Sequence, residues 1–390
     1  MDQRLLQAAR PAIGLLQGFI LLALYRASSS EAWPATDGLI FAPLVVTVMF
    51  VPLVAISGLG NMRPLTLALW IVAATALSAV LTFYDIFHNP TDMTRISDAF
   101  PSGAPRNIAS SRFWLSLGAL LFITHALVLS SDTDQRPIAT YSTYFDASWK
   151  HGIQAILAAL FVGVFWIILF LGSSLFALIR INALRDLIQQ DYFWIPITAI
   201  SAGYALHLTD ARATLTRGAR SLVLFLLSWL LPVMTLLAIG FVLALPFSGL
   251  DALWGTQHAG GILLSACAML IFLINTAYQD GNVEQPPLLR VARLAASLVL
   301  LPLTALASYA LFLRVQQYGW SPDRVVAAAC TLVAAFYAVG YLFAAAWFGL
   351  PLRGLELVNV LTAFAVVVIL LGVLTPLADP LRVSVNSQVA

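Results

Sequence analysis

Apolar runs of about twenty residues recur from one end of this 390-residue chain to the other, and no other feature restricts its fold as strongly. A hydrocarbon core about 30 Å thick asks for roughly 20 apolar residues per helix. The runs at 39–57, 65–84, 113–129, 153–179, 222–245, 262–278, 294–313, 325–348 and 358–374 meet or approach that length. Lipid offers no water to bond backbone N–H and C=O groups, so a spanning segment satisfies them within a helix or a closed barrel. These runs are too long and too poor in period-2 alternation for barrel strands. The fold class is therefore all-α: a polytopic integral membrane helical bundle with ten or eleven transmembrane helices. Charged residues make up 10% of the chain, whereas a soluble domain carries roughly 25%.

The expected organisation is one membrane domain over 1–390. Its first half, 1–210, is less regular, with polar loops at 85–111 and 130–150; its second half, 211–378, is regular, and 379–390 is a short polar tail. The first run, 11–25, reads as a retained helix rather than a removed signal peptide, because many spans follow it. The element at 192–208, with Trp194, Pro196, Gly203, Tyr204 and His207, has barely enough apolar length and either crosses or lies in the interface. With eleven spans and the N-terminus inside, basic residues divide about 11 to about 9 between the two sides, which hardly discriminates. Both arrangements place Arg212, Arg217 and Arg220 inside with Asp280, Arg290 and Arg293, so the polar stretch 275–293 reads as a cytoplasmic corner.

The formal net charge is +2, from 20 basic and 18 acidic side chains, too small a bias to indicate a nucleic-acid partner. Membrane lipids are the implied surroundings, and no cofactor is called for. Cys267 and Cys330 sit singly in apolar runs and read as buried small hydrophobes rather than a disulfide or metal pair.

A charge at a helix centre costs about 2.5–3.5 kcal/mol on insertion scales, and no Asp, Glu, Lys or Arg falls at the centre of these runs. That disfavours a pump driven by a buried carboxylate. His125 lies inside the fourth span and reads as a satisfied core histidine or as a path-lining group. Tyr204 and His207 share a helical face, with Asp210 and Arg212 just beyond. His207 and Asp210 have the spacing to share a hydrogen bond and orient a general base, but no serine or cysteine nucleophile accompanies them, so a cap at the membrane edge is the plainer reading. The histidines at 88, 125, 151, 207 and 258 never take metal-ligand spacing.

In the corner, Asp280-Gly281 supplies a turn, Asn275 and Gln279 lie on one side of a helix end, and Glu284 faces Arg290 and Arg293 across a Pro-Pro break. Further on, Tyr318-Gly319-Trp320-Ser321-Pro322-Asp323-Arg324 reads as a tight connection in which Ser321 caps the next helix and Pro322 occupies its first turn. Asn359 is a polar residue at the head of the last run. Pro43, Pro52, Pro196, Pro232 and Pro302 fall within apolar segments, where each frees a carbonyl; such breaks build sites in carriers and also occur in ordinary bundles.

Several of these stretches recur together. Pro246-Phe-Ser-Gly249-Leu-Asp-Ala-Leu-Trp254-Gly-Thr256, Asn275-Thr-Ala-Tyr278-Gln279-Asp280-Gly281, the 318–324 connection, Phe336-Tyr337-Ala-Val-Gly340-Tyr341, Val358-Asn359-Val, Thr375-Pro376-Leu-Ala-Asp379-Pro380 and Asn386-Ser387-Gln388 stand in order over 246–390. In this set the chain resembles a bacterial family of multi-spanning membrane proteins called domain of unknown function 4153. The resemblance implies a multi-pass protein of the bacterial inner (cytoplasmic) membrane and brings no activity, substrate or cofactor.

Three functional classes stay open. One is transport or sensing of a small or lipid-like molecule. Another is an envelope structural or assembly protein whose cytoplasmic loops bind a protein partner. The third is a membrane-embedded transferase acting on a lipid substrate.

Overall fold

A computed structural model describes residues 3–88, 109–249, 258–282, 285–348, 352 and 354–389. All regular structure among them is helical: α1 (Gln3–Ser29), α2 (Gly38–Gly58), α3 (Pro64–His88), α4 (Ser111–Asp134), α5 (Tyr141–Leu178), α6 (Ala183–Ile188), α7 (Asp191–Ala211), α8 (Ala213–Ser228), α9 (Leu231–Ser248), α10 (Ala259–Tyr278), α11 (Pro287–Tyr318), α12 (Pro322–Phe348), α13 (Leu355–Val373) and α14 (Pro380–Val389). Among the described residues, ten helices are long and apolar enough to cross a membrane, with α8 and α9 counted as one run over Thr216–Ser248. The chain is a multi-pass helical membrane protein. Large apolar residues such as Leu160, Ile167, Leu171, Leu236 and Val368 lie exposed on the outer faces, as expected where the solvent is lipid.

The chain forms two compact units. The first comprises Met1–Ala139 and Ala147–Ala219, the second Thr140–Asp146 and Arg220–Ala390.

In the first unit, α7 settles antiparallel against α1 along its length. Arg26 Nε donates to Asp191 at 3.0 Å at one end, and Arg10 Nη2 donates to Asp210 at 2.6 Å at the other. Between them Gly14 and Gly18 bring the two backbones together: a Cβ at Gly14 would lie 2.8 Å from the Ala199 carbonyl oxygen, and one at Gly18 would lie 2.6 Å from Pro196 Cα. Small residues four apart permit this approach, and without a hydrophobic drive inside lipid such packing is what holds helices together. The 192–208 element is thus a 21-residue helix. It falls outside the ten because Asp191, Thr198, Ser201, His207, Thr209 and Asp210 dilute its apolar content.

The expected loop at 130–150 is shorter than the polar composition suggested. α4 runs to Asp134 and ends on Gln135 in the left-handed region (φ 54°), and α5 begins at Tyr141. Ser130, Asp132 and His151 inside these helices are buried. Asp132 accepts Arg63 N–H at 2.8 Å, Arg63 Nε at 2.7 Å and Thr66 Oγ1 at 2.6 Å, so one carboxylate from α4 satisfies the start of α3. Most of the expected 85–111 loop lies outside the described residues.

In the second unit Leu231, Cys267, Leu270, Ile274, Leu300 and Tyr341 form a shared core. Ser321 Oγ accepts Arg324 N–H at 3.4 Å, the cap read from the sequence. The stretch expected as a polar tail forms helix α14, whose Ser387 accepts Trp320 N–H at 3.0 Å and whose Ser384 donates to the Trp320 carbonyl. Cys267 is buried, but Cys330 is exposed, contrary to the expectation of two buried thiols. It lies on the outward face of α12, where lipid accepts a small apolar side chain at no cost.

Candidate functional site

The first unit holds a half-open cavity of about 630 Å³, within the roughly 300–1,000 Å³ usual for small-molecule sites. Its walls come from α1, α2, α4, α5 and α7. On α5 the lining runs from His151 to Gly163, a helical rise of roughly 18 Å. Far from His151 the walls are apolar: Phe50, Leu53, Phe122, Ala159 and Val162. Gly163 leaves open space, since a Cβ there would meet nothing within 4 Å.

The other end is polar and partly buried. Asp210 accepts from Arg10 at 2.6 Å, from Lys150 Nζ at 2.8 Å and from Gln154 Nε2 at 3.3 Å. Arg10 also donates to the Leu59 carbonyl at 2.6 Å, and Lys150 to Asn61 Oδ1 at 3.0 Å. Two cations share one carboxylate, which leaves a net positive end to an otherwise apolar chamber. Arg10, His125, His151 and Gln154 are each less than a tenth exposed. The His125 and His151 rings meet edge-on, 5.1 Å apart.

This arrangement overturns one expectation. His207 and Asp210 do not share a hydrogen bond: the Asp210 carboxylate is taken by Arg10, Lys150 and Gln154, and His207 Nδ1 is buried without a partner. Two cations outcompete a neutral imidazole for a carboxylate. Tyr204 is half-exposed, and Arg212 is exposed and serves by its backbone N–H to close α7 on the Leu208 carbonyl. His125 lines the cavity and is bonded through its Nδ1 to Trp70 Nε1 at 3.0 Å.

The corner residues gather elsewhere, in the second unit. Asn275 Nδ2 donates to Tyr341 Oη at 2.8 Å, Tyr341 donates to Asn359 Oδ1 at 2.7 Å, and Asn359 Nδ2 donates back to Asn275 Oδ1 at 2.6 Å. Asn359 also reaches Tyr141 Oη at 3.2 Å. This closed ring ties α10, α12 and α13 and satisfies its own members, as a buried polar network must. Nearby, the buried Arg293 guanidinium stacks 5.1 Å above the Tyr278 ring, and Tyr278 Oη donates to Glu356 at 2.9 Å. Gln279 and Gly281 take positive φ to turn the chain, and Asp280 accepts Asn282 N–H. Arg290 is exposed, and Glu284 lies outside the described residues. Tyr318 is exposed and carries Arg324 over its ring at 5.4 Å, beside a second, more polar cavity of about 560 Å³.

Among the described residues no cluster of three or more His, Cys, Asp or Glu forms a metal site. Fold and cavity together define a multi-pass helical membrane protein with a half-open cavity in its first unit. No family model, curated protein or solved structure matches the chain.

Sequence reading missed Lys150, His151, Gln154 and Asn61 as partners of Asp210. A signal was present: Lys150 is the chain's single lysine, and Gln154 follows it one helical turn on, at the head of a long apolar run.

Proposed function

We propose that this protein binds a lipid-like amphiphile in the cavity of the first unit, chain along the apolar walls and head at the Arg10–Asp210–Lys150 end, and carries it through the membrane or senses it there. The cavity is the observation that supports this reading: apolar walls cost nothing to an acyl chain, and the partly buried polar end supplies the few placed polar groups that orient a ligand. Polar groups buried within a membrane bundle are expensive and mark functional sites by default. The transferase alternative is weakened because its general base needs the His207–Asp210 hydrogen bond. We also propose that α7 crosses beside α1, since paired residues link the two over roughly 24 Å of helix, nearly the hydrocarbon thickness. A bacterial inner-membrane location is supported by the motif resemblance over 246–390.

Native mass spectrometry of the full-length protein released from detergent tests the binding. Gly163→Trp fills the chamber where space is open. Wild type should retain a bound amphiphile that the variant loses; no adduct in wild type, or equal retention in both, rejects the reading.

A further inference from the structure

The two buried imidazoles at the polar end differ in what they offer. Trp70 Nε1 lies 3.0 Å from His125 Nδ1. An indole N–H only donates, so His125 Nδ1 accepts, and the neutral ring carries its proton on Nε2. His151 Nδ1 lies 2.8 Å from the Ala147 carbonyl oxygen. A carbonyl only accepts, so His151 Nδ1 donates, and the neutral ring presents Nε2 as a bare acceptor. The Ser57 backbone also acts on the His151 ring, but both Nε2 atoms are buried and neither makes a hydrogen bond. One donor and one acceptor thus stand unsatisfied on adjacent rings that line the same cavity.

Buried polar atoms without partners are destabilising, and a single group that both accepts and donates relieves both. Arg10 and Lys150 share the Asp210 carboxylate, and Arg10 Nε is buried without a partner, so an anion would answer to that cationic group, whereas the demand of the two imidazoles themselves is neutral. Building on the amphiphile reading, we infer that the ligand is a long-chain alcohol or a lipid whose head presents a free hydroxyl, its oxygen accepting from His125 Nε2–H and its proton given to His151 Nε2. A carboxylate lacks the proton that His151 Nε2 would take, and a hydrocarbon has neither function.

The test compares 1-hexadecanol, hexadecanoate and hexadecane, matched in chain length, for binding to the full-length protein in nanodiscs, with ¹⁵N-histidine spectra as a second readout. Wild type should hold 1-hexadecanol about tenfold more tightly than hexadecane, the worth of one or two net hydrogen bonds. His125→Leu and His151→Leu should each bring 1-hexadecanol and hexadecane to equal affinity, whatever the shared affinity becomes. The alcohol should move both Nε2 resonances in wild type, a readout independent of how the variants fold. Equal binding of alcohol and hydrocarbon, with unshifted Nε2 signals, overturns the hydroxyl inference, assigns the pair to water and leaves the amphiphile reading standing. Tighter binding of hexadecanoate that depends on Lys150 also overturns it. Failure of all three to bind overturns both.

Discussion

Neutralising Asp210 should cost the first unit more than any other single polar change in it. The carboxylate accepts from Arg10 and Lys150, whose side chains are 4% and 34% exposed. Asp210→Asn keeps the shape and an acceptor oxygen but leaves the enclosed Arg10 charge uncompensated. Breaking a buried pair from one side costs about 3–5 kcal/mol, and the retained amide oxygen argues for about 3. In a unit of this size that lowers the unfolding midpoint by roughly 6–12 °C. Lys150→Met should cost at most about 1 kcal/mol, because a lysine one-third exposed reaches the interface and gains little from its pair. The assay is thermal unfolding in a single detergent, with fluorescence and monodispersity read together, for both single variants, for Arg10→Met, and for Arg10→Met with Asp210→Asn. The double variant should be less destabilised than the two singles summed, by at least about 1.5 kcal/mol, the mark of direct coupling. Equal losses for Asp210→Asn and Lys150→Met, or strict additivity with Arg10→Met, would refute the claim that a buried charge pair closes the polar end.

Three further outcomes are expected. Gly18→Leu should separate α1 from α7, since even a Cβ there meets Pro196 Cα at 2.6 Å; overpacking costs about 1–3 kcal/mol, and retention of wild-type stability in detergent would contradict the close approach. Tyr341→Phe should destabilise the second unit by about 1–3 kcal/mol, because Asn275 and Asn359 each lose a buried partner; hydrogen exchange at the end of α10 is the check, and unchanged protection there would reject the ring as a structural tie. A membrane-permeant maleimide should label Cys330 slowly, since a lipid-facing thiol stays protonated, and Cys267 only after unfolding, given their opposite exposure; equal rates would refute the packing of α10.

What could be read from the sequence, and what could not, divides by the range of the interaction. The helical membrane fold was legible because each span satisfies its own backbone within twenty residues of chain. The Ser321 cap was legible for the same reason, since its partner lies three residues away. The site was not, because its members are far apart in the chain: Arg10 meets Asp210 across 200 positions and Gln154 meets Asp210 across 56. Proximity along the chain suggested His207 for Asp210, yet the stronger cationic partners arrive from α1 and α5. The corner shows a mixed case. Asn275 and Asn359 stood out as polar residues in apolar surroundings, but Tyr341, which joins them, sits in an aromatic and small-residue stretch that reads as packing. Gly14 and Gly18 were legible in principle, four apart on one helical face, as are Ala199 and Gly203. A matched pair of such motifs in two marginal helices is the sequence sign that the polar element at 191–211 runs beside the first span. It also explains how a helix that carries Asp191 at one end and Asp210 at the other settles within a membrane bundle: α1 brings an arginine to meet each of them.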